Sequence, residues 1–207
     1  MTEGRVPEGK ASADTSSSLL FRIRQKEPEA WTRFVPLYTP LIKHWCYKSG
    51  LSEADAADIC QDVFGAVDRA IGKYQHDQKG SSFRGWLRTI TSNKIHDLFR
   101  RRDLGIEAVG GSDALAQMMA VPESEPQDSG DGQANEDELI VFRQAIELIL
   151  SEFKDETRRA FLRVVVDEAS PADVATELGI TVNAVYLAKS RVKRRFKEEF
   201  SGLIESI

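Results

Sequence analysis

Apolar side chains recur at intervals of three and four residues along most of the chain, a pattern that predicts amphipathic helices. The first predicted helix is short, over residues 18–27. The second begins at Pro28, because the missing N–H of proline would have no partner in the first turn of a helix. Pro36 and Pro40 predict a kink or a break within it, and Gly50 predicts its end. Its core-facing stripe comprises Trp31, Phe34, Val35, Tyr38, Leu41, Ile42 and Trp45.

Two further helices complete the N-terminal part of the chain. Ser52 and Asp55 have the spacing of a capping box, which predicts a helix from there to about Ile71. Ser82 is a plausible N-cap for the next helix, which continues without a proline through Arg102. Four helices joined by short connections predict a compact all-α domain over residues 19–102.

The C-terminal part has the pattern of a helix-turn-helix. Helices are predicted from Leu139 and over residues 157–168, where three consecutive valines (Val164, Val165 and Val166) predict burial on more than one side. Ser170 then caps a short helix, Gly179 allows a tight turn, and Thr181 caps a basic helix. We therefore predict a second helical domain over 139–207, with the last helix anchored by Val185, Leu187 and Val192.

An acidic segment joins the two predicted domains. Residues 103–138 contain ten Asp and Glu, no Lys or Arg, a glycine pair and two prolines, which predicts a flexible linker. The whole chain has a net charge of −5. Outside this segment, however, 28 basic residues outnumber 23 acidic ones, so the rest of the chain has a net charge of +5. Because the charge is segregated in this way, the acidic total does not exclude a nucleic-acid partner. Residues 1–18 are predicted to be a disordered polar tail.

Composition argues against several other classes of protein. The chain has no apolar run of eighteen residues and no signal peptide, and its two cysteines favour a reducing cytoplasm. His44, Cys46 and Cys60 do not complete a zinc site by spacing, so both cysteines are predicted to be packing residues. No phosphate-binding loop or catalytic constellation stands out. We expect no enzymatic activity, cofactor, metal or small-molecule substrate.

The helix over residues 82–102 combines an apolar, aromatic side with a basic side. Cations on such a helix suit phosphates, and its aromatic rings suit unpaired bases. The alternative is an ordinary amphipathic helix whose aromatic residues lie in the core and whose arginines are solvated. The candidate contacts from this pattern are Phe83, Arg84, Arg88, Lys94, Arg100 and Arg101.

The helix that begins after Ser52 has an acidic face. Asp58, Gln61 and Asp62 fall on one side of it at spacings of three and four. Such a face is either simply solvated or a docking surface for a protein partner, and spacing alone favours the solvated interpretation.

The last helix offers two sets of candidate DNA contacts. In a helix-turn-helix, the first residues of the second helix meet base edges in the major groove, and later basic residues hold phosphates. A basic helix for membranes or calmodulin-like partners is the alternative. The base-edge candidates are Thr181, Val182, Asn183, Ala184 and Tyr186, and the phosphate candidates are Lys189, Arg191, Arg194 and Arg195.

These motifs, in this order, resemble the sigma factors of RNA polymerase, specifically the extracytoplasmic-function (ECF) type of the sigma-70 family. Residues 57–64 (ADICQDVF) resemble the motif that binds the core enzyme. Residues 83–102 resemble the region that melts DNA and reads the minus-10 element, with Trp-Leu, Ile, Asn and Asp at the family's spacing. The helix-turn-helix resembles the domain that reads the minus-35 element.

The resemblance implies roles for particular residues. It places Asp58, Gln61 and Asp62 against the β′ clamp of core RNA polymerase, which reverses the preference for a solvated face. It places Asn93 and Asp97 near a flipped-out base of the non-template strand. Its other implied partners are the β flap and promoter DNA, and it leaves open whether a separate anti-sigma protein exists. Ser92 and residues 183–188 (NAVYLA) depart from the family's more basic pattern, so the promoter sequence does not transfer.

The main alternative is a stand-alone helix-turn-helix regulator that binds duplex DNA without polymerase. Residues 19–102 would then be a sensor or dimerisation domain. Such a regulator has no need of a docking face at 57–64 followed by a strand-opening helix at 83–102.

Overall fold

The computed structural model describes residues 19–74, 82–104 and 131–200, and every regular element in these ranges is a helix. The all-α prediction is therefore confirmed. The predicted tail over 1–18 and most of the predicted linker, residues 105–130, lie outside the described ranges.

The N-terminal helices follow the predicted order. They are α1 (Leu19–Arg24), α2 (Pro28–Lys48), α3 (Glu53–Ala70), a 3-10 turn (Ile71–Lys73) and α4 (Phe83–Asp103). The C-terminal helices are α5 (Asp131–Leu150), α6 (Asp155–Val165), α7 (Pro171–Leu178) and α8 (Val182–Phe200). No break occurs in α2, which continues through Pro36 and Pro40 because its buried side chains hold it between other helices.

Side-chain caps begin four of these helices. The Ser52 hydroxyl accepts a hydrogen bond from the Asp55 amide, and the Asp55 carboxylate accepts one in return, which confirms the capping box. Ser82, Ser170 and Thr181 accept hydrogen bonds from backbone amides three residues later. These local signals were readable in the sequence because a cap involves only residues within one turn.

One continuous core runs through both predicted domains. Helix α2 packs against α1, α3 and α4, and its remaining side packs against α5. Apolar residues of α5 and α8 join the same core as those of α2, α3 and α4, namely Val141, Ala145, Ile149, Val192, Phe196 and Phe200. The two parts of the chain therefore lie against each other.

The predicted linker boundary at residue 138 is wrong. Helix α5 begins at Asp131, so residues 131–138 are helical, and Asp137 is only 5% exposed. Acidic composition indicated a solvated segment, but here the carboxylates are paired with residues of α2 and α4 across the interface. Composition does not record such long-range partners.

A second, small core holds the helix-turn-helix together. It contains Ala160, Val174, Ala175, Val185 and Ala188. Gly179 adopts a left-handed conformation with φ of 66°, as the predicted turn requires.

Two apolar predictions in this unit are wrong. Leu187 is 44% exposed, because α8 turns residues 185, 188 and 192 inward. Val165 and Val166 are also exposed, since α6 ends at Val165 and the chain then turns toward Ser170. Among the described helices, none is long and apolar enough to cross a membrane.

Replacing Gly179 with alanine should destabilise the protein by about 1–2 kcal/mol, the cost of a left-handed conformation for a residue with a Cβ atom. A Cβ at this position would meet nothing within 4 Å, so the loss is conformational and not steric. Gly72→Ala is the matched control, because it also has open space but no positive φ. Urea unfolding of both variants measures the difference, and equal stabilities would contradict the turn assignment.

Candidate functional site

Helix α3 presents a polar face to solvent. Its apolar side, including Ile59 and Val63, is buried against α2 and α4. Because these positions point inward, the turn geometry places Asp58, Gln61 and Asp62 outward, and all three are exposed. The structure thus brings the three predicted docking residues together on one open surface.

A charged contact joins α3 to the basic end of α4. The Asp55 carboxylate, which belongs to the capping box, also pairs with the Arg102 guanidinium. The hydrogen bond from Ser52 and then the contact with Arg102 lower the pKa of Asp55. The Asp55 side chain therefore links the start of α3 to the basic end of α4, in addition to the apolar core that the two helices share.

Phe83 lies in the core, which corrects its assignment as a DNA contact. It is 4% exposed, and its ring contacts the rings of Phe34, Tyr38, Tyr74 and Trp86 at centroid distances of 5.3–5.8 Å. Rings in such edge-on contacts stabilise a core and have no free face for a base. For Phe83, the alternative interpretation is therefore correct: its aromatic ring lies in the core.

The remaining α4 candidates divide into two groups. Asn93 and Arg100 are exposed, Lys94 and Arg101 are partly exposed, and the Arg100 guanidinium lies 2.8 Å from the Asp97 carboxylate. Arg84 and Arg88 instead face the start of α5. They lie 3.4 Å from Glu138 and 3.6 Å from Asp137.

The first turn of α8 projects from the helix-turn-helix. The predicted base-edge residues Thr181, Val182, Asn183 and Tyr186 are exposed, whereas Ala184 is partly buried. Exposed valine and tyrosine beside an asparagine amide suit the mixed apolar and hydrogen-bonding surface of the major groove.

The predicted phosphate contacts of α8 are not equivalent. Arg191 and Arg194 are exposed and Lys189 is partly exposed. Arg195 is held on the protein, 2.8 Å from the Glu152 carboxylate and 2.7 Å from that of Glu199. Glu152 also pairs with Arg33 of α2, so this cluster bridges the two parts of the chain.

Sequence reasoning missed the carboxylates that contact basic residues of α2, α4 and α8. Glu136, Asp137 and Glu138 were counted only as linker charge, and Glu152 was not singled out. No spacing rule could pair them with residues of α2 and α4, which lie about 50 or more positions earlier in the chain. The only available signal was a run of three acids next to a helical pattern.

Cys46 and Cys60 are buried free thiols, which confirms their prediction as packing residues. Burial raises the pKa of Cys46 to about 11 and also raises the pKa of Cys60. Both thiols therefore stay protonated and unreactive at neutral pH. Within the described ranges, no three His, Cys, Asp or Glu side chains are arranged to hold a metal ion.

Two family models match the chain over the elements just described. Sigma-70 region 2 matches residues 34–104, which comprise most of α2 and all of α3 and α4. Sigma-70, region 4 matches residues 143–196, from within α5 to near the end of α8. The chain belongs to the sigma-70 family.

Curated relatives agree with this assignment. The sigma factor is 24% identical to the ECF RNA polymerase sigma factor SigE of Mycolicibacterium smegmatis over 192 residues, which cover 91% of this chain and 65% of SigE. It is 25% identical to the ferric citrate uptake sigma factor FecI of Escherichia coli over 182 residues, which cover 86% of this chain and 90% of FecI. This is an ECF sigma factor, which binds RNA polymerase and directs it to promoters through regions 2 and 4, and which is not itself an enzyme.

A solved structure also matches the sigma factor. The structure of CnrH in complex with the cytosolic domain of CnrY matches with a TM-score of 0.35 and 20% sequence identity. The match covers 86% of this chain and 92% of CnrH.

Asp55→Asn should make the sigma factor less stable at neutral pH, with a difference that disappears in acid. A carboxyl whose folded pKa is lowered stabilises the fold above its unfolded pKa, about 3.9, and loses that effect as pH falls through the folded value. Thermal unfolding from pH 7 down to pH 2 measures this, because the folded pKa of Asp55 lies below its usual range. Asp58→Asn, on the exposed face of the same helix, is the control. A loss that does not vary with pH would contradict an ionic role for Asp55.

Proposed function

We propose that the sigma factor docks on the β′ clamp of core RNA polymerase through Asp58, Gln61 and Asp62. The observation that carries this proposal is the exposure of all three side chains on one face of α3. Two carboxylates and an amide at this spacing offer acceptors to basic and hydrogen-bonding groups along a partner helix. The opposite side of α3 is buried, so the docking face has a rigid support.

We further propose that α4 reads and melts the minus-10 element. Asn93, Lys94, Asp97, Arg100 and Arg101 lie along its C-terminal half. The amide of Asn93 and the carboxylate of Asp97 can hydrogen-bond an unpaired base, whereas the cations suit the phosphates of a single strand. Arg84 and Arg88, nearer the start of α4, would join these contacts once they are released from α5.

Recognition of the minus-35 element is assigned to α8. The left-handed Gly179 turn and the Thr181 cap set the first turn of α8 on the outside of the unit. Asn183 and Tyr186 would meet base edges there, and Arg191 and Arg194 would hold phosphates. The exposure of all four side chains supports this assignment.

Region 4 also offers a surface for a protein partner. An apolar groove lies between α5, α6 and α8, lined by residues that include Leu139, Phe142, Ile146, Leu162 and Val165. We assign this groove to the β flap, because a groove of this kind accepts the apolar face of a helix. An anti-sigma protein would use the same surface. Because it acts on RNA polymerase, we expect the sigma factor to work in the cytoplasm with the polymerase.

Asp62→Arg should abolish binding to core RNA polymerase, because it puts a cation where the partner requires an acceptor. A pull-down of the variant with purified core enzyme measures this. Asp68→Arg is the matched control, since Asp68 is an exposed acid on the same helix whose nearest cation is an exposed lysine at 3.9 Å. Equal retention of both variants would overturn the docking site.

Arg194→Ala and Asn183→Ala should weaken promoter binding in different ways. Loss of the Arg194 phosphate contact should reduce affinity about evenly across sequences and lower the salt-dependence slope by about 0.9. Loss of Asn183 should flatten the preference at one minus-35 position. Holoenzyme binding to a panel of minus-35 variants, at several salt concentrations, distinguishes the two. A changed base preference in Arg194→Ala would contradict its phosphate role.

A further inference from the structure

Three consecutive carboxylates near the start of α5 contact α2 and α4. Glu136 lies 2.6 Å from the Lys48 ammonium and 3.6 Å from His44 Nε2. The Trp45 indole N–H donates to the carboxylate of Asp137, at 3.0 and 3.1 Å from its two oxygens. As described above, Asp137 and Glu138 also face Arg88 and Arg84. We call residues 136–138 the acidic clasp.

The burial of Asp137 makes the clasp a specific contact between helices. An exposed ion pair contributes little to stability, so its presence alone does not show that two helices must pack together. Asp137, however, is 5% exposed, and an ionised carboxylate at that depth requires partners to offset its lost hydration. It has a hydrogen-bond donor from α2 and a cation from α4. The contact therefore depends on α5 lying in this one place.

The clasp engages side chains that the proposed function assigns to DNA. Arg84 and Arg88 belong to α4, and an arginine binds carboxylate and phosphate with the same donors. While Glu138 and Asp137 lie against them, DNA phosphates cannot take their place. The Arg33–Glu152–Arg195 contacts hold a candidate phosphate ligand of α8 in the same arrangement.

The hydrogen bonding within this contact is also incomplete. Within the described residues, the buried atoms Arg84 Nη1 and Glu138 Oε1 make no hydrogen bond. A buried polar atom without a partner carries a free-energy penalty that a better partner can relieve. A phosphate has more acceptor oxygens to offer Arg84 than this single contact uses.

The docking face of α3 remains accessible in the same arrangement. Asp58, Gln61 and Asp62 are exposed while the clasp is closed. Polymerase can therefore dock on α3 before α5 moves, whereas the guanidinium nitrogens of Arg84 and Arg88 that face the clasp become available to DNA only after it moves. This difference sets an order of binding.

We propose that the acidic clasp is an internal substitute for DNA phosphate that keeps region 2 of the free sigma factor from binding DNA. The inference rests on the proposed role of α4 in DNA binding. Separation of α5 from α2 and α4 releases Arg84 and Arg88 together, because consecutive residues of one helix hold both. The free factor then binds polymerase first and DNA second.

The test compares two full-length variants that gain the same charge. Glu136→Gln/Asp137→Asn/Glu138→Gln removes the clasp with side chains of nearly the same shape. Glu29→Gln/Glu156→Gln/Glu168→Gln is the control, because these are exposed carboxylates outside both the clasp and the groove assigned to the β flap. Affinity for a fluorescent, random-sequence, 20-nucleotide single strand is measured without polymerase. The clasp variant should bind about tenfold tighter than the control, within the roughly 5- to 150-fold range of typical coupling between sites.

A second comparison shows whether the gain acts through the two arginines. Adding Arg84→Ala and Arg88→Ala to the clasp variant should return its affinity to that of the same arginine substitutions in the wild type. A gain that survives these substitutions would overturn the proposal, and so would equal affinities of the clasp and control variants. Failure of the clasp variant to bind the strand at all would also overturn it, since the three acids would then not be what prevents DNA binding.

Core-polymerase binding by the same proteins keeps this inference separate from the proposed function. All of them should bind core enzyme like the wild type, because the substitutions lie outside the α3 face. If the wild type itself did not bind core enzyme, the proposed docking face on α3 would be rejected. The comparison of single-strand affinities would still test the clasp. Asp137→Asn alone, with circular dichroism as a folding check, provides a milder variant with a smaller expected gain if the triple substitution unfolds.

Discussion

Burial of α2 on several sides determines where the functional helices lie. Its aromatic stripe packs against α3 and α4, its first turns meet α1, and its remaining side receives α5. A helix enclosed in this way tolerates two internal prolines, since packing compensates for the backbone hydrogen bonds that they omit. The docking face of α3 and the basic side of α4 point outward because their apolar sides are both turned toward this one helix.

The same constraint explains why Phe83 does not contribute to the DNA surface of α4 as the pattern first suggested. Phe83 closes a cluster of rings around Phe34 and Tyr38, and a side chain cannot both fill the core and stack on a base. The surface that α4 leaves open to nucleic acid is mainly polar, with Phe99 exposed beside it. Its chemistry is that of guanidinium, ammonium and amide groups, which suit phosphates and base edges.

Electrostatics in this sigma factor depend on where the acids are held, and less on how many there are. The net charge of −5 misrepresents both proposed DNA-binding surfaces. Acids at the start of α5 lie against arginines of α4, and Glu152 lies between arginines of α2 and α8. Two helical regions that a linear reading separates are thereby joined by charge as well as by a shared core.

The sequence alone determined the features that depend on neighbours along the chain. The caps at Ser52 and Ser170, the glycine turn at Gly179 and the order of the motifs were predictable, because each arises from contacts within a few residues. Only the tertiary structure decided that Phe83 is buried, that Leu187 is exposed, and that residues 131–138 are helical and lie against α2 and α4. Those outcomes depend on which side of a helix meets a partner far away in the chain, and helical periodicity leaves that choice open.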